Sequence, residues 1–206
     1  MKIDIARQPL VPAFMTLFAL AVAAMCAGIP VSDTSGAVRD ALPLLGGQLA
    51  RFQAAYPVWS KFAAGFMLLF TGMCAGRITI RYNLYTVGTC LPIPLYAIVA
   101  CGIATGGNYL AGFAASMLLA LATKNYCRAF CNGYGFDAIF RASLYLGLMP
   151  LVYAPALPLL LLLPLAVLLF RRTFREVVVA TAGLLLPIFT ACYVSWGSGA
   201  EFTAPL

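Results

Sequence analysis

VWSKFAAGFMLLFTGMCAG, Val58 to Gly76, decides the reading of this chain. It carries a single charge, Lys61, close to its start, and then stays apolar or small until Arg77 and Arg81. A helix that crosses a bilayer needs about 20 consecutive residues of this kind. Working outward, similar runs fall at Leu10 to Ile29, Tyr85 to Ala104, Asn108 to Thr123, Ala138 to Tyr153, Pro155 to Phe170 and Glu176 to Val194. The pattern predicts an all-α polytopic transmembrane helix bundle of about seven spans, forming a single membrane domain over residues 1–206.

Composition agrees with that reading. Apolar residues make up 63% of the 206, charged residues only 9%, and the mean hydropathy is +0.96. Soluble domains carry about 45 to 50% apolar and about 25% charged residues. The loops left over are too short for a soluble catalytic domain. The chain has no histidine, so the commonest transition-metal ligand and general base is missing. Most of the seven cysteines lie inside apolar runs and read as small hydrophobes. Cys127 and Cys131 have a C-x3-C spacing but lack the further ligands of a structural zinc site, and neither a metal nor a cofactor is expected.

The net charge of +7 follows topology rather than nucleic-acid binding. Lys2, Arg7, Arg77, Arg81, Lys124, Arg128, Arg141, Arg171, Arg172 and Arg175 fall on one side of the alternating map, and Arg39, Arg51 and Lys61 on the other. Ten against three places the N-terminus in the cytoplasm and the C-terminus outside. The first run follows Lys2 and Arg7 as a signal peptide would. Asp4 and the lack of a clean small-x-small cleavage site favour a retained first span. Tyr56, Trp59, Tyr109, Tyr153, Tyr193 and Trp196 mark outer span ends, and Tyr82, Tyr85, Tyr126 and Tyr134 inner ones. Tyr96 and Tyr145 fit this belt less well.

The outer loop 30–57 carries Val38, Leu42, Leu45, Leu49, Phe52 and Tyr56 at helical spacing, which predicts an interfacial helix. Ser32 or Asp33 can cap it, and Pro43 with Gly46 and Gly47 should divide it into two pieces. For packing between spans, Gly72 and Gly76, Gly102 and Gly106, and the Gly112, Ser116, Ala120 stripe let helix backbones approach closely. Prolines at 92, 94, 150, 155, 158, 164 and 187 free backbone carbonyls, for a ligand or simply for kinks.

No span holds a charge near its middle, which disfavours proton-coupled or ion-coupled transport. The longest polar stretch on the inner side, Lys124 to Asp137, reads as a loop. With Arg77, Arg81, Arg171, Arg172 and Arg175, its Lys124 and Arg128 form a cationic rim for lipid phosphates or acidic partners, if the charges are not there for topology alone. Asp137 and Glu176 each begin a span, where a carboxylate meets the positive end of the helix dipole, and Asp137 pairs with Arg141 and Glu176 with Arg172 at i,i+4 spacing. On the outer side, Asp33 and Asp40 are helix caps or, held beside Arg39 and Arg51, a general base near a lipid-linked phosphate.

Two resemblances add expectations. The segments Arg141 to Leu148, Val152 to Ala156, Leu159 to Leu163, Arg171 to Glu176 and Gly183 to Pro187 resemble an uncharacterised family of polytopic inner-membrane proteins of Bacteroidetes, over about the last 70 residues. That implies a bacterial inner-membrane address. The overall outline also resembles the membrane glycosyltransferases that use polyprenyl-phosphate sugars, with an inside N-terminus and a long first outer loop bearing interfacial helices and an acidic residue. That likeness implies Asp33 or Asp40 as the catalytic base.

The leading expectation is a non-enzymatic inner-membrane subunit or scaffold of a cell-envelope complex, in contact with membrane lipids and other integral-membrane proteins. A glycosyltransferase-like enzyme using a lipid-linked sugar is the second reading. A small solute carrier or substrate-binding transporter component is the third, with Thr71, Thr89, Thr105, Thr181 and Thr190 available to line a path.

Overall fold

A computed structural model of the chain describes residues 10–26, 44–82, 89–104, 108–131, 135–163, 165, 173–199 and 202, with the backbone alone at 101–104 and 131. Among the described residues the fold is all helical, without a strand. The helices are α1 (Leu10–Cys26), α2 (Leu44–Ala55), α3 (Pro57–Arg81), α4 (Pro92–Ala104), α5 (Tyr109–Cys131), α6 (Phe136–Val152), a 3-10 helix (Ala154–Leu161) and α7 (Phe174–Gly197). Among them α3 and α7, with 25 and 24 residues, are long and apolar enough to cross a membrane, and α1 is a shorter apolar helix. The expectation of seven full-length spans therefore reduces, in the described residues, to an all-helical chain with two candidate spans.

Several boundaries differ from the sequence reading for identifiable reasons. The outer-loop helix α2 starts immediately after Pro43 and passes unbroken through Gly46 and Gly47, so the glycine pair does not divide it. Two glycines cost about 1 kcal/mol each in a helix, which the packing of a buried Gly46 and Gln53 can offset. The stretch read as an inner loop from Lys124 is helical as far as Cys131, and α6 begins at Phe136. Loop polarity there is the polar end of a helix.

Of the span expected from Tyr85, residues 85–88 lie outside the described residues, 89–91 are not helical, and the helix begins at Pro92. Pro92 stands first in α4 and Pro94 in its first turn, where no intrahelical N–H is required, so neither breaks the helix. The Thr89 hydroxyl accepts the Leu91 N–H at 3.1 Å just upstream. The run from Pro155 opens as a 3-10 helix; Pro155 stands in its first turn, where no intrahelical donor is needed, and Pro158 inside it removes a donor that an α-helix would use.

The chain divides into two compact units: residues 1–33 with 50–120, and residues 34–49 with 121–206. In the first, α1, α3 and α4 pack on one another. Leu17 lies on Gly72 and Met25 on Gly65, so α1 runs antiparallel to α3. Ile93 lies on Gly76, so α4 starts where α3 ends. At the opposite end the Ser60 and Tyr109 hydroxyls meet, so α5 starts where α3 starts.

In the second unit α6 packs on α7 and on the 3-10 helix. Gly183 lies against Phe140 and Ser143, and Gly147 against Leu184 and Pro187. Positions rise together along the two helices, so α6 and α7 are parallel. Ala129, Ala138, Ile139, Leu163 and Ala180 form a buried cluster with Leu184 against it, which joins the end of α5 to the beginnings of α6 and α7.

Large and small side chains are distributed in the reverse of a water-soluble helix. On α3 the buried residues are mostly small, Ser60, Ala64, Gly65, Thr71, Gly72 and Gly76 beside Leu68 and Ile78, whereas Trp59, Phe62, Phe66 and Phe70 are exposed. On α7, Ala180, Gly183, Ala191 and Ser195 are buried, whereas Leu186, Phe189, Tyr193 and Trp196 are exposed. Each large apolar side chain left in water forgoes about 1.5–3 kcal/mol. Helices packed through small residues, with their bulk outward, suit an apolar solvent.

Candidate functional site

In the second unit the backbones of α6 and α7 approach closely where they cross. A methyl group built on Gly183 would stand 2.8 Å from the Phe140 carbonyl oxygen, and one on Gly147 would collide with the Leu184 carbonyl. Neither obstacle is a flexible side chain. Ser143, fully buried one turn before Gly147, touches Gly183 through its Cβ and meets the Tyr126 hydroxyl at 3.4 Å. Burial pushes the Tyr126 phenol above its usual range and the Ser143 contact partly opposes the rise, so the phenol is neutral at physiological pH. Tyr126 stacks on Phe130 with ring centroids 5.6 Å apart, beyond the apolar part of α5.

This end of the second unit, where α5 finishes and α6 and α7 begin, collects Lys124 and Arg128 of α5, Arg141 of α6 and Arg175 of α7, all exposed. Arg141 Nε donates to Asp137 Oδ1 at 3.0 Å on the surface, a pair worth little in stability. The Glu176 carboxylate accepts the Thr173 N–H at 3.2 Å and completes a capping box at the start of α7. Its expected partner Arg172, together with Arg171, lies outside the described residues. In the first unit Arg77 and Arg81 are exposed on the last turns of α3, where cations favour the helix dipole.

The other end of the first unit is polar in a different way. Ser60 Oγ donates to the Pro57 carbonyl at 2.8 Å, so its contact with Tyr109 at 2.5 Å leaves the tyrosine as donor. Gln53 of α2, itself buried, accepts the Leu110 N–H at 3.4 Å and satisfies one of the free donors at the start of α5. Beneath lies a small apolar notch between α1, α3 and α5, with Lys61 and Tyr109 at its lip and Met25 laid into the space that Gly65 leaves.

A third cluster lies inside this unit. Tyr96 of α4 and Ser116 of α5 meet through their hydroxyls at 3.1 Å, and Ser116 also donates to the Phe113 carbonyl at 2.8 Å. Thr71 of α3 is buried beside them.

Of the residues singled out for packing, Gly72 and Gly76 lie against Leu17 and Ile93, and Gly112 and Ser116 stand on α5. Gly102 stands on α4, with only its backbone described, and Gly106 lies outside the described residues. Asp33 and Asp40 also lie outside them, as does the outer-loop segment 30–43. Sequence reasoning missed the Gly147–Gly183 crossing, although Ser143-x3-Gly147 obeys the same small-residue rule that singled out Gly72 and Gly76. It also missed Thr173-x2-Glu176, a capping signature. The signal for the buried hydroxyls was Tyr96, a tyrosine away from either interface.

No protein-family model matches the chain, and neither the curated proteins nor the solved structures hold a match to it.

Proposed function

We propose that this chain is a multi-pass protein of the bacterial inner membrane, threaded seven times with its N-terminus inside and its C-terminus outside. It serves there as a non-enzymatic subunit or scaffold of an envelope complex. The observation that carries the reading is the inverted packing of α1, α3 and α7, with small residues inward and aromatic ridges outward. Lipid tails and partner helices take the same kind of surface, and backbones this close make a stiff platform for them.

Helix direction supports the threading. The antiparallel α1 and α3, and the parallel α6 and α7 with a return segment between them, are the directions that charge alternation requires. Exposed cations at the starts of α6 and α7 and at the end of α5 would meet anionic headgroups or an acidic partner protein on the cytoplasmic side.

Purification of the tagged chain from its native membrane in a mild detergent, followed by native mass measurement and cross-linking, tests this reading. A discrete assembly with other integral-membrane proteins is expected. A chain that is always monomeric and free of partners overturns the scaffold reading.

A further inference from the structure

We propose that the end of the second unit where α5 finishes and α6 and α7 begin binds an anionic glycerophospholipid, with the phosphate among Lys124, Arg128 and Arg175 and the acyl chains against Phe136 and Phe174. The inference rests on the membrane placement proposed above and narrows the contact made there to one kind of partner.

Charge is concentrated at this end. Every charged residue among the described residues of the second unit lies here: Lys124, Arg128, Asp137, Arg141, Arg175 and Glu176. Both carboxylates are already engaged. Asp137 holds Arg141, and Glu176 is buried in the capping box of α7. Lys124, Arg128 and Arg175 are exposed, and among the described residues none of them has an ionic partner. The described residues hold no further carboxylate to answer them. Arg175 is also placed against its own helix. It stands second in α7, at the positive end of the dipole, whereas Arg81 and Arg128 stand in the last turns of α3 and α5, where a cation is favoured. An anion beside Arg175 removes that conflict.

Apolar surface decides which anion. Phe174, the first residue of α7 and the neighbour of Arg175, is 80% exposed, and Phe136, the first residue of α6, is 41% exposed. A free phosphate or an acidic water-soluble segment would answer the cations and leave both rings in water. A phospholipid carries its charge and its hydrocarbon in one molecule, so it covers cation and ring together. Long basic side chains lay their apolar stems along hydrocarbon and reach phosphate with their heads. A zwitterionic headgroup brings a cation of its own, so the surplus of positive charge selects an anionic one.

Native mass spectrometry of the full chain in detergent, titrated with phosphatidylglycerol or phosphatidylcholine of identical acyl chains, tests the assignment. Phosphatidylglycerol should bind about tenfold more tightly or better. Arg128→Gln with Arg175→Gln should lower its affinity by about tenfold and leave phosphatidylcholine unchanged, while Arg77→Gln with Arg81→Gln, an equal loss of charge, should lower it less than about twofold. Phe174→Ser should weaken both lipids. All five side chains are exposed, so the circular dichroism spectrum and unfolding midpoint should stay as in the parent chain. Glycerol phosphate and a polyglutamate peptide, standing for a free phosphate and an acidic partner, should fail to displace the lipid. Equal affinity for the two lipids, equal losses from the two double variants, no effect of Phe174→Ser, or displacement by either soluble anion overturns the proposal and leaves the scaffold reading in place. Release of the chain from its native membrane by an alkaline wash without detergent would instead overturn the membrane placement, and the proposal with it.

Discussion

Gly147 of α6 lies directly against the main-chain carbonyl of Leu184 in α7, and Gly183 answers it from α7 against Phe140. A side chain at either position has to push a backbone away. Gly147→Ala should therefore destabilise the chain by about 1–3 kcal/mol, the usual cost of overpacking. Gly197→Ala, at the end of α7 with nothing within 4 Å of a new methyl group, should be neutral or gain up to about 1 kcal/mol from helix propensity. Unfolding in detergent followed by circular dichroism separates the two; equal effects would contradict the crossing.

Ser60 and Tyr109 are coupled asymmetrically. Tyr109→Phe removes a donor and leaves Ser60 bonded to the Pro57 carbonyl, so the expected loss is about 0.5–1.5 kcal/mol. Ser60→Ala strands the buried Tyr109 hydroxyl, with an expected loss of about 1–3 kcal/mol. Thermal unfolding of both variants checks the order, Ser60→Ala being the less stable.

At the start of α7, Glu176→Gln should be nearly silent because glutamine also completes a capping box, while Thr173→Ala should cost about 1 kcal/mol. Amide hydrogen exchange over the first two turns of α7 is the direct measurement. The expected outcome is faster exchange in Thr173→Ala and little change in Glu176→Gln.

Threading can be read with cysteine labels. In intact cells a membrane-impermeant maleimide should modify Ser198→Cys, beyond the end of α7, and should spare Arg175→Cys until the cells are opened. Labelling of both from outside, or of neither, would break the seven-span map.

The helix content of this chain was legible because composition and run length are local properties. Cation placement was equally legible as a pattern, since every Lys and Arg is visible in the sequence. Local rules went wrong where a neighbour intervenes. Gly46 and Gly47 read as breakers but sit inside α2, where the buried Gln53 reaches the start of α5. Lys124 and Arg128 read as loop residues because polarity was equated with irregular backbone, yet an exposed helix end can be just as polar. The hydroxyls of Thr71, Tyr96 and Ser116 are scattered over 46 positions in sequence, and only the fold brings them together.

By itself, then, the sequence determined that the chain is helical, rich in runs suited to an apolar solvent, and charged in an alternating order along its length. Those properties are sums over neighbouring residues, and covalent order is enough to state them. Tertiary structure alone decided which glycine meets which carbonyl, that α6 and α7 lie parallel, and which hydroxyl is left facing another. Those are pairings between distant segments, chosen by how closely two backbones can approach, and no local pattern encodes the partner.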